Sequence, residues 1–497
     1  MSHSFRLYNT LAREVAAFEP IHPGEVGLYV CGMTVYDDAH IGHARAMVVF
    51  DAFSRYLRHR GWKVKFVRNY TDVDDKIIQR AAERGEDPFV LAQRYIDNFR
   101  EDIAALGLLP PDSEPRVTRT IPDIVAFIAE LMDKGHAYEA EGSVWFSVRT
   151  FSEYGKLSGQ DPAELRSADE VAGKRDSADF ALWKAARPGE PAWDTPWGRG
   201  RPGWHIECSA MARAELGTHF DIHGGGLDLV FPHHENEIAQ SECAGGPPYA
   251  RYWMHNGLLT MAGGQKMGKS LGNVIDIRDA LREYPAEVLR LYLLMSHYRS
   301  PIPWGDDALP EALAMLARLY GAKEVAAAMG GDEDPDRVAR DLGVDAMAVL
   351  QLGREFVANI YAALDEDFNT SLALAHAFEL ARALNRFSNH KQAKKRGGPV
   401  VAPALEGFEL MGEAIGLLGA DAASFHEEVK EKRLAAMGLT RETIEAYLSD
   451  RLAARLIKDW ARADALRAEL EAMGILVMDN VGGVEWRIRL REPASEA

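Results

Sequence analysis

Cys31, Cys208, His233 and Glu237 offer two sulfur donors, a nitrogen and an oxygen, the mixed set that a zinc ion accepts. His233 and Glu237 stand four residues apart in Phe-Pro-His233-His-Glu-Asn-Glu237, so a helical segment would turn both to one face. Cys31 lies in an apolar run, Leu28-Tyr-Val-Cys-Gly-Met-Thr-Val, that reads as a strand, and Cys208 sits in Gly203-Trp-His-Ile-Glu-Cys208. Against a metal stands plain packing: buried cysteines behave as small hydrophobes, and no Cys-x-x-Cys spacing is present. His205, His223 and His234 are rival nitrogen donors by residue type alone. Cys243, in Cys-Ala-Gly-Gly, reads as a bystander.

A second group points to phosphate chemistry. His40-Ile-Gly-His43 follows the first strand and reads as a helix start, where two imidazoles three apart and the helix dipole both favour an anion. Gly42 between them leaves room for a nucleotide to approach. Farther on, Gly263-Gly-Gln-Lys-Met-Gly-Lys-Ser270 fits the phosphate-loop pattern, but that motif needs a helix running straight on from its lysine. Here Leu271-Gly-Asn-Val274 follows and the next helical pattern starts near Asp276. What remains is a lysine-rich loop, with Lys266 and Lys269 to meet a triphosphate.

His40-Ile-Gly-His43 and Lys266-Met-Gly-Lys-Ser270 resemble the two signatures of class I aminoacyl-tRNA synthetases, and the Cys31, Cys208, His233, Glu237 set resembles the zinc site of the cysteinyl-tRNA synthetases. The likeness runs on through Asn69-Tyr-Thr71-Asp-Val-Asp-Asp-Lys76, Gly203-Trp-His-Ile-Glu-Cys208 and His223-Gly-Gly-Gly-Leu-Asp228, and covers about the first 305 residues closely. One departure is Gly268, where the family usually carries serine; glycine makes the loop more pliable and lacks a loop-ordering hydroxyl, while both lysines are kept.

The resemblance implies a cysteine–tRNA ligase that activates cysteine with ATP and Mg²⁺ and passes it to the 3′ end of tRNA(Cys). His40, His43, Lys266 and Lys269 would neutralise charge on the departing pyrophosphate, since adenylate formation is an in-line displacement in which catalysis is positioning plus electrostatics. Gly42 and Asp228 fall to the nucleotide, Asp228 to the ribose hydroxyls, although Gly224 to Gly226 would equally make an ordinary tight turn. Trp204 and Thr71 fall to the amino acid; both would serve as well in a core or turn. One Zn²⁺ per chain would hold the substrate sulfur and acidify it, which a serine hydroxyl cannot match, so no editing step is needed. A non-catalytic zinc-bearing RNA-binding relative is an alternative reading; it should have lost histidines or lysines that this chain retains.

Composition fits an enzyme of this kind. The chain has 497 residues, 47% of them hydrophobic, and suggests about three domains. Three scattered cysteines make no disulfide framework, and no apolar stretch is long enough to span a bilayer, so a cytoplasmic protein, expected to be monomeric, follows. The net charge of −18 opposes indiscriminate nucleic-acid binding but not a locally basic groove.

Strand-like and helix-like runs alternate over residues 24–80, which reads as a βαβ start to a parallel sheet. The expected fold class is α/β: a Rossmann-like catalytic domain over 1–305, interrupted by an insertion at about 115–200, then a helical bundle over 306–425 and a small α+β domain over 426–497. The insertion reads as a hairpin at 136–148 followed by a loop-rich Pro/Gly/Trp segment, and His219–His223 with Tyr252–Met261 would complete the sheet. The bundle is broken by a basic loop, Ser388-Asn-His-Lys-Gln-Ala-Lys-Lys-Arg. At the C-terminus Leu452, Leu456, Trp460, Ala463, Leu466, Leu470 and Met473 mark one face of a helix, with Asp450 near its start and Gly474 just past its end, and two short strands after it. Resemblance assigns anticodon binding to this end, and the long helical and α+β region argues against the alternative of a cysteine ligase acting on an amino sugar.

Overall fold

The computed structural model describes residues 5–164, 173–261, 274–480 and 483–490. Lys266, Gly268 and Lys269 lie outside the described residues, and the reading of that loop with them.

Four parallel strands form the central sheet in the order Ala250–Asn256, Phe220–Gly226, Glu25–Thr34, Lys63–Thr71. Covered on both faces, they carry nearly continuous apolar runs; seven of the nine residues of Lys63–Thr71 are buried. The helix Ile41–His59 makes the crossover between the two strands that flank it in sequence and buries Val48, Val49, Phe50, Phe53 and Leu57 against the sheet. Basic Arg58 and His59 occupy its last turn, where the dipole favours them.

The register of Glu25–Thr34 against Lys63–Thr71 slips between Val30 and Met33. Gly32 lies in that bulge because only glycine fits: a Cβ there would stand 1.6 Å from the backbone oxygen of Asn69. The Asn69 side chain accepts a hydrogen bond from the Gly32 amide at 2.8 Å and holds the bulge. Cys31 therefore leaves the strand where the pleat is re-aimed.

The insertion departs from expectation in its second half. The hairpin is present as Ala137–Ala140 against Ser143–Phe146, but the segment read as loop supplies Phe180–Ala185, Trp193–Thr195 and Gly198–Pro202 to a five-stranded antiparallel sheet. Glycine hid these strands while being needed in them: a Cβ on Gly200 would meet the Lys184 carbonyl oxygen at 2.3 Å. The run Tyr252–Met261 also divides, its tail Leu259–Met261 pairing with Ile302–Trp304 in a separate two-stranded sheet.

Helices Ala308–Ala327, Pro335–Leu342, Val344–Asp365, Thr370–Ser388 and Gly398–Ile415 make the bundle, and the basic loop contains a short helix, Ala393–Arg396. One apolar core runs through residue 305 without a break, from Phe50 and Phe53 to Leu313, Leu364 and Phe368. Buried polar ties reinforce it: Tyr56 donates to Asp365 at 2.5 Å, and Arg290 to Asp51 at 2.5 Å.

The single helix expected between about Asp450 and Met473 is two, Arg441–Leu456 and Trp460–Ala472. Lys458 takes a left-handed conformation (φ 63°), and Asp459 breaks the run because its side chain accepts from the Arg462 amide at 3.0 Å, capping the second helix instead of continuing the first. Only Ala463, Leu466 and Leu470 of the expected face are buried; Leu452, Leu456 and Trp460 are exposed. The antiparallel pair Ile475–Asn480 and Gly483–Ile488 closes a small separate core with Leu434 and Ile444. Among the described residues no helix is long and apolar enough to cross a membrane.

Candidate active site and metal centre

The carboxyl ends of the parallel strands gather the residues that carry chemistry, as open α/β sheets do where strand order reverses. Cys31 comes from the bulged strand, Cys208 from the helix Trp204–Leu216, His233 from the helical turn Val230–His234 and Glu237 from the helix Glu235–Gly245 that follows it. One donor atom from each lies within 4.8 Å of all the others, and all four residues are buried. The thiol sulfurs are 3.8 Å apart, the spacing of two sulfurs at about 2.3 Å from a shared tetrahedral zinc. Glu237 Oε1 is 3.5 Å from the Cys31 sulfur and 3.0 Å from His233 Nε2. These residues fit a zinc ion.

Cys31, His223, His234 and Glu237 form a second, overlapping group within the same limit. Around both groups several of the donors are held by further side chains. His205 Nδ1 meets His233 Nδ1 at 2.9 Å, His223 Nε2 meets Glu237 Oε2 at 3.0 Å, and Tyr249 donates to the same carboxylate oxygen at 3.2 Å. His234 Nε2 lies 3.3 Å from the Cys31 sulfur. Outer partners of this kind fix the orientation of metal ligands.

Burial alone would raise the Glu237 carboxyl, yet His223 and His233 hold it well below the usual carboxylate range. The same burial would lower His233, but Glu237 and Cys208 lift it to about 10. Burial pushes the Cys31 thiol up, whereas its hydrogen bond to Cys208 brings that thiol down to about 6. A divalent cation among these groups displaces their protons, so metal binding and deprotonation go together.

The nucleotide candidates sit on the same edge. His40 is the N-cap of Ile41–His59, and its ring stacks on His43 with centroids 3.8 Å apart. Gly42 also stands against the His40 ring, where a Cβ would approach it to 2.7 Å. Asp228 lies in the turn Leu227–Leu229, its carboxylate packed over Gly226, where a Cβ would approach Oδ1 to 2.5 Å. Thr71, at the end of its strand, donates to Glu207 Oε2 at 3.1 Å, and burial, with the charge of Cys208 nearby, raises that carboxyl well above its usual range. Trp204 stacks on His233 at 4.2 Å and 20°, keeping 36% of its surface exposed. The backbone there demands glycine at 203, whose Cβ would collide with the Ala181 carbonyl oxygen at 2.0 Å.

The model of the class I (C) tRNA synthetase catalytic domain matches residues 17–314, that of the DALR domain 359–418, and that of the cysteinyl-tRNA ligase anticodon binding domain 437–487. A cysteine–tRNA ligase of Alkalilimnicola ehrlichii is 50% identical over 97% of this chain and 99% of its own length, and one of Geobacter sulfurreducens 47% identical over 98% and 100%. The chain belongs to the cysteine–tRNA ligases. Methionyl-tRNA synthetase of Mycobacterium tuberculosis bound by methionyl-adenylate superposes with a TM-score of 0.59 at 16% identity, over 84% of this chain and 95% of that one, which places the fold of this cysteine–tRNA ligase among the class I synthetases.

Sequence reasoning about the ligase missed Thr10, Tyr249 and His255 as supports of the cluster. His255 is the penultimate residue of Ala250–Asn256 and pairs with Gly225, so its position near a carboxyl strand end was a usable signal. Thr10 and Tyr249 carry none, because their roles follow from contacts with residues far away in sequence.

Proposed function

We propose that the chain activates cysteine with ATP and Mg²⁺ as cysteinyl-adenylate and transfers it to the 3′ end of tRNA(Cys). What carries this reading is near-complete coverage of cysteine–tRNA ligases at up to 50% identity, joined to a buried two-sulfur, nitrogen and oxygen donor set beside the His40 helix start. The three-part division at about 305 and 425 is part of the same proposal, as are a monomeric state and a cytoplasmic location.

Cys31, Cys208, His233 and Glu237 would hold one zinc ion, preferred over the overlapping group because zinc favours a second thiolate and the sulfur spacing suits it. When bound, that ion supplies a site for the substrate sulfur and lowers its pKa. Trp204, stacked on His233, closes the pocket over a small amino acid, and Thr71 orients it. His40 and His43 present their imidazoles where the helix dipole also favours phosphate, Asp228 takes the ribose, Gly42 lets the His40 ring pack at the helix start, and Lys266 with Lys269 neutralises the pyrophosphate. Cysteine-dependent ATP–pyrophosphate exchange together with charging of tRNA by radiolabelled cysteine tests the reading. Exchange with serine as readily as with cysteine, or no charging of tRNA, would overturn it.

A further inference from the structure

A line of four side chains runs from the segment after the first strand, Arg6–Asn9, to the candidate metal centre. Thr10 Oγ1 lies 2.8 Å from His255 Nδ1, His255 Nε2 lies 2.8 Å from His234 Nδ1, and His234 Nε2 lies 3.3 Å from Cys31 Sγ. Both imidazoles are buried, at 0% and 3% exposure. Thr10 is itself anchored: its amide donates to the Trp253 carbonyl at 2.9 Å, and the neighbouring Asn9 side chain donates to the Arg251 carbonyl at 3.0 Å, so the segment is laced to the strand that bears His255.

Counting protons gives this line a direction. A neutral imidazole has one N–H and one lone pair, while a hydroxyl can donate or accept. A metal-bound thiolate only accepts. His234 Nε2 must then carry the proton toward Cys31, its Nδ1 accepts from His255 Nε2, His255 Nδ1 accepts in turn, and the Thr10 hydroxyl donates. In the opposite polarity a lone pair of His234 would face the thiolate. The Thr10 hydroxyl can serve either polarity, so the acceptor-only thiolate sets the direction and Thr10 supplies the donor that satisfies it at the far end.

We propose that Thr10 and His255 are positioning residues that stabilise His234 as the Nε2–H tautomer, so that it donates a hydrogen bond to the Cys31 thiolate and tunes how much charge that sulfur gives the metal. The proposal rests on Cys31 being a metal ligand. Thr10 would thus govern metal affinity without touching metal or substrate.

The test uses the full chain with Thr10→Val, which removes the hydroxyl at nearly constant shape, and Thr10→Ser, which keeps it. Zinc content, zinc affinity by competition with a chromophoric chelator, and the sulfur-to-cobalt charge-transfer band of the Co²⁺-substituted protein are the readouts. Thr10→Val should bind zinc about tenfold more weakly, the low end of what outer partners of metal ligands contribute, with a displaced band, and Thr10→Ser should match wild type in both. Wild-type affinity and band in Thr10→Val, or equal losses in the two variants, overturn the proposal. Nitrogen-15 shifts of His234 in the unsubstituted zinc protein give an answer that needs no variant: a protonated Nε2 is expected, and a protonated Nδ1 overturns it. Wild-type protein that binds no zinc would instead bring down the metal reading, and this proposal with it.

Discussion

At the carboxyl end of the parallel sheet His223, His233, His234 and Glu237 are at most 1% exposed, whereas at the junction of the two C-terminal helices Leu456, Ile457 and Trp460 are 57% exposed or more. One region withdraws groups that prefer water, the other presents groups that avoid it. The buried set is tolerable because each member faces a partner: His223 and His233 face Glu237, and His234 bridges Cys31 and His255. The exposed set gives up hydrophobic stabilisation of roughly 25 cal/mol per Å² left uncovered. Both departures have a cost in stability, and on the proposed function they serve different ligands, a small thiol and a metal inside and tRNA outside.

The sharpest test of the buried side is Cys208→Ala. Wild type should carry about one zinc per chain, and this variant should lose it and slow cysteine-dependent exchange by a hundredfold or more, while Cys243→Ala leaves zinc content unchanged. Elemental analysis decides, and full occupancy in folded Cys208→Ala would break the ligand assignment. Lys269→Ala follows, with exchange slowed roughly a hundredfold and cysteine binding nearly unchanged, measured by exchange and by calorimetry.

The exposed side should respond with tRNA and not with cysteine. Trp460→Ala should raise KM for tRNA by about tenfold, in keeping with roughly 1–3 kcal/mol for a base stacked on an aromatic ring, and leave exchange untouched. A chain ending after Gly438 keeps every buried residue of the continuous core, including Phe425 and Val429, and should retain exchange while charging poorly. Loss of exchange in that chain would mean that the two regions are coupled. The smallest effect concerns Asp479, whose carboxyl is held below its ordinary value of 3.8 by hydrogen bonds from Arg451, against a small burial cost. A depressed carboxyl stabilises fully above that ordinary value and loses its contribution as pH falls through the folded one. After solvent screening it is worth at most about 1 kcal/mol, so acid melts of wild type and Asp479→Asn should separate slightly above pH 4 and draw together only as pH falls well below 3.

The sequence by itself determined what local spacing and residue type decide. His40 at a helix start, His233 four before Glu237, the alternation of strand and helix that makes a parallel sheet, and the apolar bundle were all legible, because each depends on helix or strand periodicity within a few residues. Where competing local signals met, the reading failed: Asp459 looked like one polar residue inside a helix and acts as a cap, and the glycines of Gly198–Pro202 looked like loop and make strand contact. Only the tertiary structure decided that two sulfurs 177 residues apart stand 3.8 Å from each other. It also decided that Thr10 reaches Cys31 through two histidines, and that Gly42 makes room for a histidine ring. Those placements depend on sheet order, a bulge at Gly32 and backbone approaches of a few ångströms between distant segments, and no periodicity along the chain encodes them.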